Sequence, residues 1–343
     1  MNRRVLYLEE PYKVAVREEK LRPPAPGQVM VTTLFSALSP GTDLLIYQGQ
    51  APAVPGMDEI IPSPREGFEF PLKYGYSAVG RVTECGQGVH SSWRGRMVFS
   101  FHHHESHFCI PPNELVPIPD GISPEEALLI PFMETALNLV ADGCPLVGEQ
   151  VVVFGQGILG LLTTALLAQF PLASMVSLDR YPRRRRTSMD LGAQASLDPL
   201  FPEVMDQLHS MLKGDRIYEG ADLAFEVSGN PNALDTAIAV TGFGGRVVVG
   251  SWYGKRRPAL DLGGRFYRHR IQVRSSLGSV IPPGLSSRWT RARRTKLALD
   301  MIGRLRPAYL ITHKFPLEKA ANAFAFLDQN PSEYIEVILS YEG

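Results

Sequence analysis

The sequence predicts an α/β protein of two domains, a doubly wound parallel sheet joined to a mostly antiparallel β domain. Three observations carry this. A chain of 343 residues exceeds what one core fills. Up to about residue 120 it reads as short strands cut by Pro and Gly, and beyond residue 121 buried apolar runs alternate with helix-length segments.

In the first part Gln28–Leu34 alternates, and Val79–Thr83 and Arg96–Phe99 follow glycine turns, the pattern of antiparallel strands. Gly49–Pro71, rich in Pro, Gly and acidic residues without periodicity, reads as a long loop that either belongs to a site or is disordered. Ser123-Pro124-Glu125-Glu126 has the form of a helix cap, with Pro in the first turn and acids at the positive helix end. The runs Val151–Phe154, Met175–Leu178, Asp222–Val227 and Arg246–Val249 read as strands buried on both faces, hence a parallel sheet between helix layers. The basic segment Arg288–Arg294 near the start of a late helix reads as a solvated face or a contact for an anionic substrate.

The charge balance, 35 Lys and Arg against 35 Asp and Glu, excludes a nucleic-acid or acidic-membrane partner driven by excess positive charge. No apolar run reaches the roughly 20 residues of a membrane helix, and Met1–Val5 lacks the apolar core of a secretory signal, so a cytoplasmic location is expected. Three separated cysteines, Cys85, Cys109 and Cys144, offer neither a disulfide framework nor a clustered thiolate zinc site.

The chemistry starts at Gly155-Gln156-Gly157-Ile158-Leu159-Gly160, between a buried strand ending at Phe154 and an apolar helix from Ile158 to Phe170. Gly155 permits the tight turn, Gly157 lets the backbone approach a pyrophosphate, and Gly160 lets helix and strand pack closely, while the helix N-terminus at Ile158 and Leu159 attracts phosphates. Asp179 follows about 20 residues on, at the end of the next strand, where a carboxylate accepts from both ribose hydroxyls of NAD. Arg180 and Arg183 to Arg186 come next. They read either as a solvated helix turn or as guanidinium groups that would accommodate the 2′-phosphate of NADP. The expectation is NAD, with NADP tolerated.

Ser39-Pro40-Gly41-Thr42-Asp43, Gly75-Tyr76-Ser77-Ala78-Val79-Gly80-Arg81-Val82, Gly95-Arg96-Met97-Val98, the glycine turn and Glu226–Pro231 together resemble the medium-chain dehydrogenase/reductase superfamily, the relatives of zinc alcohol dehydrogenase. The resemblance runs over nearly the whole chain. It implies a GroES-like catalytic domain at residues 1–132 and 279–343, to which the tail from Leu297 to Tyr341 returns, and a Rossmann domain at 133–278. It also implies a small-molecule substrate and a homodimer joined through the edges of the two central sheets. Thr135, Ser228, Gly250 and Ser276 fall where the family contacts the cofactor, with Glu134 a further polar neighbour. S-x-G-T-D and M-E-T-A-x-N with a histidine-rich central loop are most similar to the branch of bacteriochlorophyllide or threonine dehydrogenase-like enzymes.

The departures concern zinc. Pro40 stands at the family's Cys ligand, Tyr76 at its His, Ser77 at the following Glu, and Ile130-Pro131 at the third ligand. The four-cysteine lobe is replaced by a short histidine-rich segment between Phe99 and Phe108. Neither catalytic nor structural zinc is expected. His102, His103, His104 and His107, with Glu105, leave a different metal site open, since histidines two apart on a strand share a face.

Without zinc, Thr42 is the first choice to contact the substrate oxygen and relay its proton, the competing reading being a residue that caps its own turn. Tyr76 is a hydrogen-bond donor or acid, or simply core. His104 and His107 are alternative proton carriers. Phe68, Phe70, Tyr74 and Trp252 are aromatic candidates for the pocket wall. The expected function is interconversion of a secondary alcohol and a ketone. A zinc-independent enone or quinone reductase and a non-catalytic dinucleotide sensor are the rivals, since fold alone does not fix function.

Overall fold

The computed structural model describes residues 1–52, 69–212 and 219–341. Phe68 and most of the Gly49–Pro71 loop lie outside the described residues. The chain forms two compact units, Met1–Pro131 with Leu299–Gly343, and Phe132–Ala298.

The first unit opens on a hairpin, β1 (Asn2–Glu10) and β2 (Lys13–Lys20). On its face Glu19 accepts from Lys73 Nζ and Arg3 Nη2, both at 2.8 Å, and from the Tyr7 hydroxyl. Burial alone would raise the Glu19 carboxyl, but these three donors overcome it and hold it down at about 2.

The long β3 (Val29–Leu38) carries the main sheet. After the one-turn helix α1 (Asp43–Tyr47) come β4 (Ala78–Cys85), β5 (Met97–Ser100), β6 (His107–Ile110) and β7 (Val116–Pro117), with β4 and β6 both antiparallel to β3. Val29, Val31, Val82, Val98, Phe108 and Ile110, which alternate along these strands, form its core. The predicted cap forms: Ser123 Oγ accepts from the Glu126 amide at 3.1 Å and the Glu126 carboxylate accepts from the Ser123 amide at 2.9 Å. It starts only the single turn α2 (Pro124–Ala127), and α3 (Ile130–Gly143) follows.

The second unit alternates as the sequence predicts. Its elements are β8 (Gln150–Phe154), α4 (Ile158–Leu167), β9 (Ser174–Leu178), α5 (Pro182–Asp190), β10 (Ala195–Leu197), α6 (Val204–Met211), β11 (Ala221–Glu226), α7 (Pro231–Val240), β12 (Thr241–Val249) and β13 (Gln272–Ser275). The strands are all parallel, in the order β10-β9-β8-β11-β12-β13. The order reverses between β8 and β11, the crevice where doubly wound sheets bind ligands. Helix α4 stops short of Phe170 because the amides of Gln169 and Phe170 tighten to i−3 carbonyls before Pro171.

Helix α8 (Arg291–Leu305) leads back to the first unit, where β14 (Ile311–Pro316), α9 (Ala320–Gln329) and β15 (Glu336–Ser340) complete the sheet in the order β14-β15-β3-β4-β5-β7, with β6 on β3. The return comes later than residue 279. Asn138 Nδ2 donates to the carbonyls of Leu277 at 2.9 Å and Val280 at 2.6 Å, and Arg294 Nη2 pairs with Glu134 at 3.2 Å, so residues up to Ala298 stay with the second unit. In the basic segment Arg288–Arg294, Arg288, Arg291 and Arg293 are exposed, as a solvated face requires, and only Arg294 departs from that reading, at 2% exposure.

Because Glu19 is held below the 4.5 of an ordinary glutamate, its stabilisation is complete above that pH and is lost as pH falls toward 2. Glu19→Gln is expected to flatten the acid limb of the unfolding midpoint plotted against pH. A limb as steep as in the parent would contradict this.

Candidate active site

The strands of the second unit end in register. Leu178, Phe154, Glu226, Val249 and Ser275 pair across β9, β8, β11, β12 and β13. The next residues continue the ladder: Gly155 N bonds Leu178 O at 2.8 Å, Val227 N bonds Phe154 O at 2.9 Å, Gly250 N bonds Glu226 O at 2.9 Å and Ser276 N bonds Val249 O at 2.8 Å. Asp179, Gly155, Gly250 and Ser276 are thereby brought to one carboxyl-terminal edge, which spans four strand spacings, roughly 19 Å.

The glycines differ in what they permit. Gly155 has φ +93, and a Cβ there would lie 2.4 Å from Ser228 Cα. A Cβ on Gly160 would lie 1.9 Å from the Gly155 carbonyl oxygen, so helix and turn pack backbone to backbone. A Cβ on Gly157 would meet nothing nearer than Arg184 Nη1 at 3.9 Å. Packing therefore demands glycine at 155 and 160, whereas at 157 it leaves open space. That space lies before the first amides of α4, whose N-cap glycine supplies no capping side chain.

Asp179 is fixed by its own partners: Oδ2 accepts from Gln156 N and Oδ1 from Tyr181 N, both at 2.8 Å. The arginine run divides. Arg185 Nη1 binds the Asp179 carbonyl at 2.8 Å and Asp198 at 3.0 Å, a structural use. Arg184 lies over the Tyr181 ring, 4.9 Å from its centroid, and reaches toward Gly157. Arg180, Arg183 and Arg186 are exposed. Ser228 N donates to Glu226 at 2.9 Å, and Thr135 Oγ1 lies 2.5 Å from where a Cβ on Gly278 would sit. Glu134 is bound by Arg294 and Thr295.

In the first unit Asp43 organises a hydroxyl cluster. Its buried carboxylate accepts from the Ser39 amide at 2.7 Å and lies 3.3 Å from His104 Nε2. A carboxylate only accepts, so Nε2 is the donor there, and Nδ1 hydrogen-bonds with Ser36 Oγ at 2.8 Å. Ser36 Oγ in turn pairs with the Tyr341 hydroxyl at 2.8 Å. The hydroxyls of Ser39 and Thr42 hydrogen-bond to the Tyr76 phenol oxygen, and burial, followed by the Asp43 charge, pushes that phenol well above its usual range. Thr42 makes no capping bond with its side chain although it stands at the N-cap of α1. The structure thus brings Thr42 and Tyr76 together, with His104 behind Asp43 and wholly buried. His107 sits on β6 opposite Thr32, its Nδ1 3.0 Å from Ser106 Oγ, and burial lowers its pKa. Tyr74 packs edge-on to Tyr76, with 6.4 Å between ring centroids.

The histidines do not converge, because the chain enters a strand only at His107. His102 bonds Glu105 at 2.6 Å and stacks on Phe108, while burial drives His103 down to about 4. No three His, Cys, Asp or Glu groups among the described residues are placed to hold a metal ion. Sequence reasoning missed Ser36 and Tyr341, which meet across 305 positions without a local signal. Asp43 stood in a quoted motif but had no stated role.

Residues 159–294 match the zinc-binding dehydrogenase family. Sorbitol dehydrogenase 1 of Saccharomyces cerevisiae is 27% identical over 243 residues, 68% of this chain and 63% of the yeast protein. The match thus spans under two thirds of that relative's length. The (R,R)-butanediol dehydrogenase of Bacillus subtilis is 26% identical over 70% of this chain and 75% of its own. A solved structure of the 2R,3R-butanediol dehydrogenase from that species superposes with a TM-score of 0.79 at 20% identity, over 99% of this chain and 100% of the other. Together with the shared fold, these matches support the resemblance to the medium-chain dehydrogenase/reductase superfamily. A further solved structure, that of rspB from Escherichia coli CFT073, described as a short chain alcohol dehydrogenase and solved with NADH, has a TM-score of 0.79 at 17% identity and 99% coverage of both chains.

The superfamily's zinc does not fit the residues present. Pro40 and Pro131 carry no donor. Ser77 Oγ is buried and donates to the Leu128 carbonyl at 2.7 Å, and the Tyr76 phenol retains its proton. A zinc ion of this superfamily needs thiolate, imidazole or carboxylate at these places.

The dinucleotide does fit, and the glycines give the test. Gly157→Ala is expected to leave the unfolding midpoint nearly unchanged while weakening NADH binding at least tenfold. Gly160→Ala is expected to lose about 3 kcal/mol of stability through the backbone clash. Equal stability losses in the two variants would contradict the assigned roles.

Because the phenols of Tyr76 and Tyr341 are raised, their burial stabilises the fold below about pH 10 and is penalised as pH rises beyond it. Tyr76→Phe is expected to shift alkaline unfolding upward in pH. An unshifted curve would contradict the assignment.

Proposed function

We propose that the protein is an oxidoreductase that interconverts a secondary alcohol and its ketone with NAD(H), without a catalytic zinc. The observation that carries this is the cluster of Ser39, Thr42 and Tyr76 hydroxyls beside Asp43, with Pro40 and Tyr76 standing at zinc-ligand positions of the superfamily, in a chain that keeps the dinucleotide turn. The relatives named as sorbitol and butanediol dehydrogenases support the alcohol class.

When bound, the nicotinamide gives or takes the hydride. The amides after Gly157 would hold the pyrophosphate and Asp179 the ribose hydroxyls, with Thr135, Ser228, Gly250 and Ser276 toward the other end. In ketone reduction Thr42 gives its hydroxyl proton to the substrate oxygen and takes one from Tyr76, which regains its own from water. Alcohol oxidation runs the relay in reverse, with Tyr76 first giving its proton to water. A phenol raised in pKa stays protonated at neutral pH, so Tyr76 serves as a donor and acid, not as a free base. His104, wholly buried, meets no substrate; through Asp43 it holds the turn that presents Thr42. Asp179 favours NAD, while Arg184 and Arg180 give NADP a foothold. A homodimer through β13 is supported by that edge strand, exposed at all four residues.

Thr42→Val and Tyr76→Phe are each expected to lower turnover of secondary alcohols ten- to a hundredfold while NADH binding, followed by fluorescence, stays within twofold. Undiminished turnover in both variants would discard the mechanism. NADPH bound markedly more tightly than NADH, with enones reduced and alcohols inert, would replace it with an enone reductase that uses the same protonated phenol.

A further inference from the structure

The helix α3 of the second unit presents Glu134 and Asn138 one turn apart, and both are buried, at 4% and 1% exposure. Arg294, on α8, bridges them: Nη2 reaches Glu134 Oε2 at 3.2 Å and Nη1 reaches Asn138 Oδ1 at 3.1 Å. Thr295 donates to the other Glu134 oxygen. With its amide oxygen engaged, Asn138 must turn its NH2 away from Arg294. That NH2 donates to the carbonyls of Leu277 at 2.9 Å and Val280 at 2.6 Å, with the Gly278 carbonyl at 3.4 Å sharing one of its two hydrogens.

The segment so gripped follows β13 directly and belongs to the edge that carries Gly155, Gly250 and Ser276. It lies at the end opposite Asp179. A dinucleotide whose ribose is read by Asp179 and whose pyrophosphate lies at Gly157 runs along this edge toward β12 and β13. Gly278 in the same segment is pressed on Thr135, since a Cβ there would lie 2.5 Å from Thr135 Oγ1. Packing alone does not need an ion pair and an asparagine buried here. Leaving either charge without the other is unfavourable, so the network is all-or-none and holds one backbone geometry.

We infer that Asn138, set in orientation by the Arg294–Glu134 pair, is a positioning residue that fixes the Leu277–Val280 backbone to receive the nicotinamide end of the dinucleotide. This rests on the dinucleotide reading above. It assigns Arg294 and Glu134 to cofactor geometry, where sequence reasoning saw a solvated basic face and a loose polar contact. Asn138 touches no reacting atom.

The test compares NADH with ADP-ribose, which carries the adenosine and pyrophosphate but no nicotinamide, by calorimetric titration of the full chain. Asn138→Ala is expected to weaken NADH at least tenfold and ADP-ribose less than twofold. A second variant, the double replacement Glu134→Met with Arg294→Met, removes both charges together and guards against misfolding from a lone buried ion; it should show the same split. Asn138→Gln, which keeps the amide, should recover part of the NADH affinity. If the variants weaken both ligands equally, or neither, the positioning role is overturned while the dinucleotide site stands. If the unaltered protein binds neither ligand, the dinucleotide reading itself falls.

Discussion

The contact on which the second unit depends is the approach of the Gly160 backbone to the Gly155 carbonyl, where a single added carbon would lie 1.9 Å away. It brings α4 close against the end of β8 and sets the first amides of that helix at the carboxyl edge of the sheet. The hydrogen bonds from Gly155, Val227, Gly250 and Ser276 to the preceding strands then carry that edge outward in register. Asp179 enters the same construction from the neighbouring strand, because its carboxylate accepts the Gln156 amide of the turn. The residues that would meet a dinucleotide are thus backbone consequences of one close packing.

The first unit rests on a different constraint, a buried carboxylate that must be fully satisfied. Asp43 takes the Ser39 amide and His104, and the rest of the polar chain, Ser36 and Tyr341, follows from the remaining valences. Tyr76 lies against this group and not against a metal ligand set. The result keeps the superfamily's turn at Thr42 but surrounds it with hydroxyls.

Much of this was legible in the chain. Apolar runs such as Val151–Phe154 are continuous because both sheet faces are covered, and the glycine turn announces its geometry because only glycine permits it. What periodicity cannot supply is where long-range partners meet. His104 was read as a proton carrier because imidazole titrates near neutrality, yet it is buried against Asp43 and Ser36. Arg294 was read with its basic neighbours as solvated, and only the fold reveals that it faces Glu134 and Asn138. Histidines two apart would share a strand face, but the chain enters a strand only at His107; His102 bonds Glu105, His104 faces Asp43 and Ser36, and His107 faces Ser106. The return to the first unit was set too early because Asn138 ties residues near 280 to α3, a tie across 142 positions at Val280 that leaves no local mark.

On the proposed mechanism the hydroxyls of Thr42 and Tyr76, beside the Asp43 turn, take the place of a metal at the substrate oxygen. The most direct measurement of this is turnover of a secondary alcohol by protein dialysed against a strong chelator, with zinc counted in the same sample by elemental analysis. The account predicts an undiminished rate at well under one zinc per chain. Loss of the rate with the metal, and its return on adding zinc, would contradict it.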